Sequence, residues 1–368
     1  MKAPRITRTS RRGDLAARLA ASLLLAASAS AARAQSDGAP PFAVPVVAVS
    51  FSSGDVRLAG AFLRPEEGGP FPAVVILHGS GPATFDEPAF RVHANAFVRG
   101  GFAVLLYDKR GSGRSTGDLD TSDYHDLAAD AAAAVRFLRS RPDVDARRVG
   151  FLGRSEGGWV GPLAASRDPT IAYVILSSGS AVGPAEQTRF WTRNALRARG
   201  ASEDEVSAAI RAKEALWAFD RHVAKDAAWG RSAAGQAARK EVERSLRPFA
   251  RYTSAMPDEV PDPASTPEGR FRALAHMIDY DPGPALLALR APLLAVIGAR
   301  DDVVEPASTI ATLERLRAGG RDVTVRTLPD VGHPLLVMTA EGPRYPDDYP
   351  EAAVRWALER VERVRAAR

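Results

Sequence analysis

No cysteine occurs among the 368 residues. Its absence excludes disulfides, thiolate-ligated metal, a cysteine nucleophile and a lipid-modified N-terminal cysteine. Histidine is scarce, with six in the chain. His93, His125, His222 and His276 stand apart with no metal-ligand spacing, so no metal site is expected. No basic Walker signature follows any glycine-rich stretch, and nothing else calls for an organic cofactor. The longest apolar stretch, 19–32, is too short to span a bilayer comfortably, so no stable membrane anchor is expected. What remains is an ordinary globular composition, 45% hydrophobic and 25% charged. It supports a sizeable core in one large domain or two small ones.

Residues 1–34 read as a signal peptide. Lys2, Arg5, Arg8, Arg11 and Arg12 form a positive start. An apolar run built on Leu23-Leu24-Leu25 follows, and Ala32-Arg33-Ala34 makes a small-x-small cleavage site before Gln35. Ser10-Arg11-Arg12 hints at twin-arginine export, but Gly13-Asp14 stands where an apolar residue is usual, so the export route stays open. The expected location is periplasmic or secreted. This leader carries seven basic residues and one acidic, a net +6, so residues 35–368 are −1 against +5 for the whole chain. The high sequence pI therefore reflects the leader, and no nucleic-acid partner is expected.

Strand-like and helix-like segments alternate through most of the chain. Residues 46–51 and 56–63 read as a hairpin around Ser52-Ser53-Gly54-Asp55. Residues 73–77, 102–106, 149–152, 172–176, 293–297 and 323–328 are continuous apolar runs, as expected for strands covered on both faces. Residues 124–139 put Leu127, Ala131, Val135 and Leu138 on one helical face; 307–316 and 351–364 also suit helices. The pattern predicts an α/β architecture: a mostly parallel sheet with helices on both faces. Residues 183–289 break it. They are long, charged and mainly helical, with a capping box at Ser202-Glu203-Asp204-Glu205. They are expected to form a helical cap inserted between a first core part, 35–182, and a second, 290–368. The alternative is an independent second domain away from the site.

Gly153-Arg154-Ser155-Glu156-Gly157 follows one such strand and opens into a helix. A Gly-x-Ser-x-Gly in that setting is a nucleophile elbow, with the Ser155 hydroxyl exposed above the carboxyl edge of the sheet. A serine there needs a base. His333 follows the last core strand in a loop able to reach it. The base needs an orienting carboxylate, and Asp301 follows the strand ending in Gly298; Asp302 and Asp330 compete for the role. The order serine, acid, histidine suits this kind of sheet. Backbone N–H groups of Glu156 and Ser80 are expected to face a developing oxyanion, with Gly79 or Gly81 as alternatives to Ser80. The Glu156 carboxylate is given no acid–base role, and His78 is assigned to holding its loop. In Tyr107-Asp108-Lys109-Arg110-Gly111-Ser112-Gly113, the bland reading is a strand-to-loop corner in which Asp108 bonds backbone groups.

Together these residues resemble the α/β-hydrolase superfamily over about 46–182 and 285–368. Within it the chain is most similar to bacterial serine-aminopeptidase-like and acyl-thioesterase-like hydrolases. The resemblance rests on Leu58-Ala59-Gly60 before Phe71-Pro72-Ala73-Val74, on His78-Gly79-Ser80-Gly81-Pro82, on Tyr107-Asp108-Lys109-Arg110-Gly111, and on Tyr280-Asp281-Pro282 leading to Pro292-Leu293. It implies that Ser155, Asp301 and His333 form a Ser-His-Asp triad. The expected activity is hydrolysis of a small-molecule acyl ester through an acyl-enzyme, without cofactor. Thioester hydrolysis is one alternative and short-peptide cleavage another. The latter would want a cap carboxylate for a free amine, with Glu186, Glu203 and Glu214 as candidates. A non-catalytic binding protein on the same fold is a more distant alternative. Among the cap aromatics Phe190, Trp191, Trp217 and Trp229, Trp191 and Trp217 are expected to line the substrate pocket.

Overall fold

The computed structural model describes residues 41–252, 255–257, 259–339, 342–346 and 348–366. The signal peptide expected over 1–34 lies outside these residues. Strands β1 (Val47–Ser53) and β2 (Val56–Leu63) pair as the expected antiparallel hairpin, with Ser53 opposite Val56. β3 (Phe71–Leu77), β4 (Ala103–Tyr107), β5 (Val144–Arg154) and β6 (Val174–Ser177) follow. They are separated by helices α1 (Pro88–Arg99), α2 (Tyr124–Arg139) and α3 (Gly157–Ser166). After a long helical insertion come β7 (Leu293–Gly298) and β8 (Val323–Leu328). The sheet order is β1-β2-β4-β3-β5-β6-β7-β8; β1, β2 and β4 pair antiparallel in turn, and every later pairing is parallel.

The strands bury both faces, so their alternation sorts residues between two cores rather than between core and water. From β3, Val75 and Leu77 join one core, which also holds Leu127, Ala131, Val135 and Leu138 of α2 and Trp159 of α3. Val74 and Ile76 join the other, with Phe90 and Phe97 of α1. The helical stripe read from 124–139 is thus the face that packs on the sheet. Asp123 starts α2 with a capping box, its side chain accepting from the His125 and Asp126 N–H groups.

The insertion between β6 and β7 comprises α4 (Pro184–Arg197), α5 (Glu203–Lys225), α6 (Ala227–Arg231), α7 (Ala233–Leu246), α8 (Glu268–Ile278) and α9 (Gly283–Ala288). Ser202 caps α5, accepting from the Glu205 N–H in the capping box expected there. Val206, Leu216, Phe219, Val223, Val242 and Phe271 give the insertion its own small core. It also touches the sheet domain: Asn194 Nδ2 donates to the Asp302 carbonyl at 3.1 Å, and Arg270 Nη1 to Asp120 Oδ2 at 3.2 Å. The chain then runs through α10 (Pro306–Ala318), a short hairpin of β9 (Val337–Thr339) and β10 (Gly342–Arg344), and α11 (Glu351–Ala366). Periodicity did not indicate that hairpin, because its strands have three residues each. Among the described residues no helix is long and apolar enough to cross a membrane.

Candidate active site

β5 ends at Arg154 and α3 starts at Gly157, leaving Ser155 at the turn with φ of 49°. A serine in the left-handed region carries strain on the order of 1–3 kcal/mol, which the surrounding packing must hold. The glycines make the turn possible by allowing close approach. A Cβ on Gly153 would lie 2.1 Å from the Gly157 carbonyl oxygen, and one on Gly158 would lie 2.5 Å from the Gly179 Cα. The Ser155 N–H is fixed by the Ser177 carbonyl at 3.0 Å.

Two loops at the carboxyl ends of β7 and β8 meet this turn. His333 Nε2 lies 3.0 Å from Ser155 Oγ, and His333 Nδ1 lies 2.9 Å from Asp301 Oδ2. A carboxylate oxygen accepts, so Nδ1 carries the proton and Nε2 turns its lone pair to the serine hydroxyl. The second oxygen of Asp301 accepts from the Val303 and Val304 N–H groups at 2.9 and 2.8 Å. Its side chain is wholly buried, whereas Asp302 is exposed. Asp330 is exposed too and pairs with Arg300 at 2.9 Å. Of the three acids, Asp301 alone bonds the imidazole among the described residues. The loops are tied by Arg300 N–H donating to the Val331 carbonyl at 3.0 Å. Ser178, itself at φ 52°, donates its hydroxyl to the His333 carbonyl at 2.6 Å. Sequence reasoning missed Ser178, which carries no motif.

The loop after β3 sits across from the serine: a Cβ on Gly79 would lie 3.6 Å from Ser155 Cβ. Among the described residues, no backbone hydrogen bond engages the N–H of Ser80 or of Glu156. These are the two donors expected to face an oxyanion. Lys109 ties the loop around Ser80 to Glu156. Its ammonium donates to the Gly79 carbonyl at 3.0 Å, to the Gly81 carbonyl at 3.2 Å and to the Glu156 carboxylate. Both side chains of this ion pair are almost fully buried. Sequence reasoning credited only the Glu156 backbone and gave Lys109 no role; a Lys in a charged loop motif offered no further signal. Asp108 does bond backbone as read, accepting from the Phe85 and Arg114 N–H groups at 3.0 and 2.8 Å. His78 is buried against the Tyr107 carbonyl, and burial, with Lys109 adding to it, lowers its pKa to about 3, so it stays neutral and structural.

A cavity runs from these residues beneath the insertion. Its core side includes Ser80, Gly81, Lys109, Tyr124, Glu156 and Trp159; its insertion side includes Thr188, Leu216, Trp217 and Met277. Trp217 therefore lines it as expected. Trp191 does not: it is buried with the Lys213 ammonium 5.1 Å over its ring, because that face of α4 packs against α5. Trp229 stacks on His222 instead, with ring centroids 3.6 Å apart. Glu214 pairs with Arg189 and Glu203 with Arg197, each at 2.7 Å, while Glu186 is exposed, so none of the three lines the cavity. Beyond Lys109 and Glu156, charged groups that the sequence did not single out also line it: Asp120, Lys213, Asp220, Glu259 and Arg270. Burial lowers Lys213 to about 7 and raises Asp220 to about 7.

The sheet order, the strained serine between strand and helix, and the acid and histidine from the following loops define an α/β-hydrolase fold. Solved structures agree. An esterase from Pyrococcus furiosus superposes with a TM-score of 0.53 at 18% identity, covering 88% of this chain and 96% of that one. A ferulic-acid-bound Est1E from Butyrivibrio proteoclasticus does so with a TM-score of 0.52 at 16% identity, covering 86% and 100%. The family model for X-Pro dipeptidyl-peptidase (S15 family) matches residues 53–329, about three quarters of the chain, and the chain belongs to that family. Curated relatives match over shorter stretches. Esterase EstD of Thermotoga maritima is 34% identical over 136 residues, 35% of this chain and 32% of the relative. Acyl-coenzyme A thioesterase 1 of Mus musculus is 31% identical over 129 residues, 34% and 29% respectively. The match thus spans about a third of each of these relatives.

Proposed function

We propose that this protein is an exported serine hydrolase that cleaves carboxylic esters through an acyl-enzyme. The observation that carries the reading is the continuous hydrogen-bonded chain Ser155–His333–Asp301. Ser155 attacks the acyl carbon as His333 Nε2 takes its proton, and Asp301 stabilises the imidazolium. Charge collects on the carbonyl oxygen, where the N–H groups of Ser80 and Glu156 are the candidate donors. His333 returns the proton to the leaving alcohol, and water then releases the acid by the same steps in reverse. The helical insertion over 183–289 acts as the cap that sets acyl preference. The leader over 1–34 supports export to the periplasm or beyond, and N-terminal sequencing of the native protein tests it, with Gln35 as the expected start.

Peptidase action is the second reading, favoured by the S15 match over residues 53–329. A panel of p-nitrophenyl esters, acyl thioesters and aminoacyl-prolyl anilides separates the two. Ester turnover well above anilide turnover supports the first reading, and the reverse order supports the second.

A further inference from the structure

Asp220 and Arg270 line the cap cavity, and each carries a buried polar atom that no described residue satisfies. Asp220 lies on α5 and Arg270 on α8, and both line the cavity. Each is more than nine-tenths buried. Asp220 Oδ1 and Arg270 Nε have no hydrogen-bond partner among the described residues. Arg270 is otherwise anchored, through Nη1 to Asp120 Oδ2 at 3.2 Å, so its Nε stays free while its position is fixed. Leaving a buried polar atom unpaired costs on the order of 1–3 kcal/mol, and more for a charged group. Two such atoms on neighbouring helices of one cavity are a cost that a bound ligand recovers.

The rest of the cavity states what kind of ligand. Its walls are largely apolar, with Leu119, Leu127, Leu216, Trp217, Leu274 and Met277. A cationic head group would meet Asp220 and the carboxylates Asp120, Glu156 and Glu259 but also Lys109, Lys213 and Arg270, and Arg221 acts on the Asp220 carboxylate. An anionic head group would meet Arg270 and Lys213 but also Asp120, Glu156, Asp220 and Glu259. A neutral group with both a donor and an acceptor meets neither repulsion. We propose that Asp220 and Arg270 form a subsite for a neutral hydrogen-bonding head group, a hydroxyl or carboxamide, carried on the part of the substrate that enters the cap. The donor goes to Asp220 Oδ1 and the acceptor to Arg270 Nε. The substrate is then a polar-ended acyl ester rather than a plain aliphatic one. For its kinetic assay this inference rests on the esterase reading.

The test uses p-nitrophenyl esters of C4 to C10 acids ending in hydroxyl, carboxamide, methyl or ammonium. At the chain length that reaches the subsite, the hydroxyl or carboxamide ester should exceed its methyl match in kcat/KM by about tenfold or more, since a site built to hydrogen-bond rejects the analogue lacking the group. Asp220→Leu should bring that ratio towards one. Asp220→Asn, which keeps an acceptor, should retain most of it; loss of the ratio in both variants alike would mean repacking and overturn the assignment. A ratio near one at every length in the native protein overturns it, and so does an ammonium ester preferred over the hydroxyl. A second readout needs no turnover: the same heads on N-methyl amides, bound to Ser155→Ala and followed by tryptophan fluorescence, since Trp159 and Trp217 line the cavity. Hydroxyl preference there, with no ester hydrolysed by the native protein, would reject the esterase reading and keep the subsite; equal binding of hydroxyl and methyl heads would reject the subsite.

Discussion

Lys109 and Glu156 form an ion pair, nearly free of solvent, that joins the loop after β3 to the Ser155 turn. Lys109 holds the carbonyls on either side of Ser80, and Glu156 is the residue after Ser155. The pair therefore fixes the Ser80 and Glu156 N–H groups, the proposed oxyanion donors, relative to one another. Such donors act on charge that develops in the transition state, so their placement shows in kcat more than in KM. Lys109→Met should lower kcat by about 10- to 100-fold with a smaller change in KM. It should also destabilise the fold by about 3–5 kcal/mol in urea unfolding, because Glu156 is left charged and buried. Adding Glu156→Gln should recover part of the stability but not the rate. An unchanged kcat in a folded Lys109→Met protein would contradict this role.

Asp301 and Asp302 are adjacent, yet only Asp301 turns inward to the imidazole. Asp301→Asn should cut kcat by about 10⁴-fold through the wrong imidazole tautomer. Asp302→Asn should stay within about twofold of the native rate, as an exposed carboxylate away from the reacting atoms. Steady-state kinetics on one activated ester decides between them. A larger loss in Asp302→Asn reverses the assignment.

The turn itself is packed against backbone, which cannot yield as a side chain can. Gly158→Ala puts a methyl group 2.5 Å from the Gly179 Cα. The expected cost is about 1–3 kcal/mol of stability, the usual range for overpacking. Urea unfolding at neutral pH measures it. A variant as stable as the native protein would show that α3 does not lie as close to the loop after β6.

Burial raises Asp220 from 3.8 to about 7, against the pull of Arg270 and Arg221. Between about pH 4 and 7 the folded state keeps a proton that the unfolded chain has released. Stability from this group is therefore full below about pH 4 and is lost as pH rises through 7. Asp220→Asn removes that loss. Relative to the native protein it should gain unfolding free energy between pH 4 and pH 8, by a few kcal/mol at most. Unfolding curves at the two pH values measure the difference, and a gap that does not widen towards pH 8 contradicts the buried, unpartnered carboxylate.

The parts of this molecule governed by local patterning were the legible ones. Both faces of the sheet are covered, so its strands appear as apolar runs, and the Ser155 turn has spacing that few other structures need. Asp301 and His333 were readable because each follows such a strand. The length of β5 was not: the reading began at 149, whereas the strand begins at Val144, because Asp145 to Arg148 are charged or small and interrupt the apolar run. The cap was legible as helices but not as a pocket. Which face of α4 or α5 meets the cavity depends on how the two helices pack, so Trp217 lines it and Trp191 does not. Lys109, Asp220 and Arg270 escaped for a related reason. A charged residue in a helix or loop reads as solvated until the tertiary structure buries it.

The central claim is that Ser155 is the nucleophile, activated by His333 with Asp301 behind it. Labelling with a fluorophosphonate, followed by peptide mass spectrometry, tests it most directly. The predicted result is a single adduct on Ser155 in the native protein and none in a folded Ser155→Ala variant, whose turnover should fall by about 10⁶-fold in kcat. An adduct on another residue, or undiminished labelling of Ser155→Ala, would contradict the account.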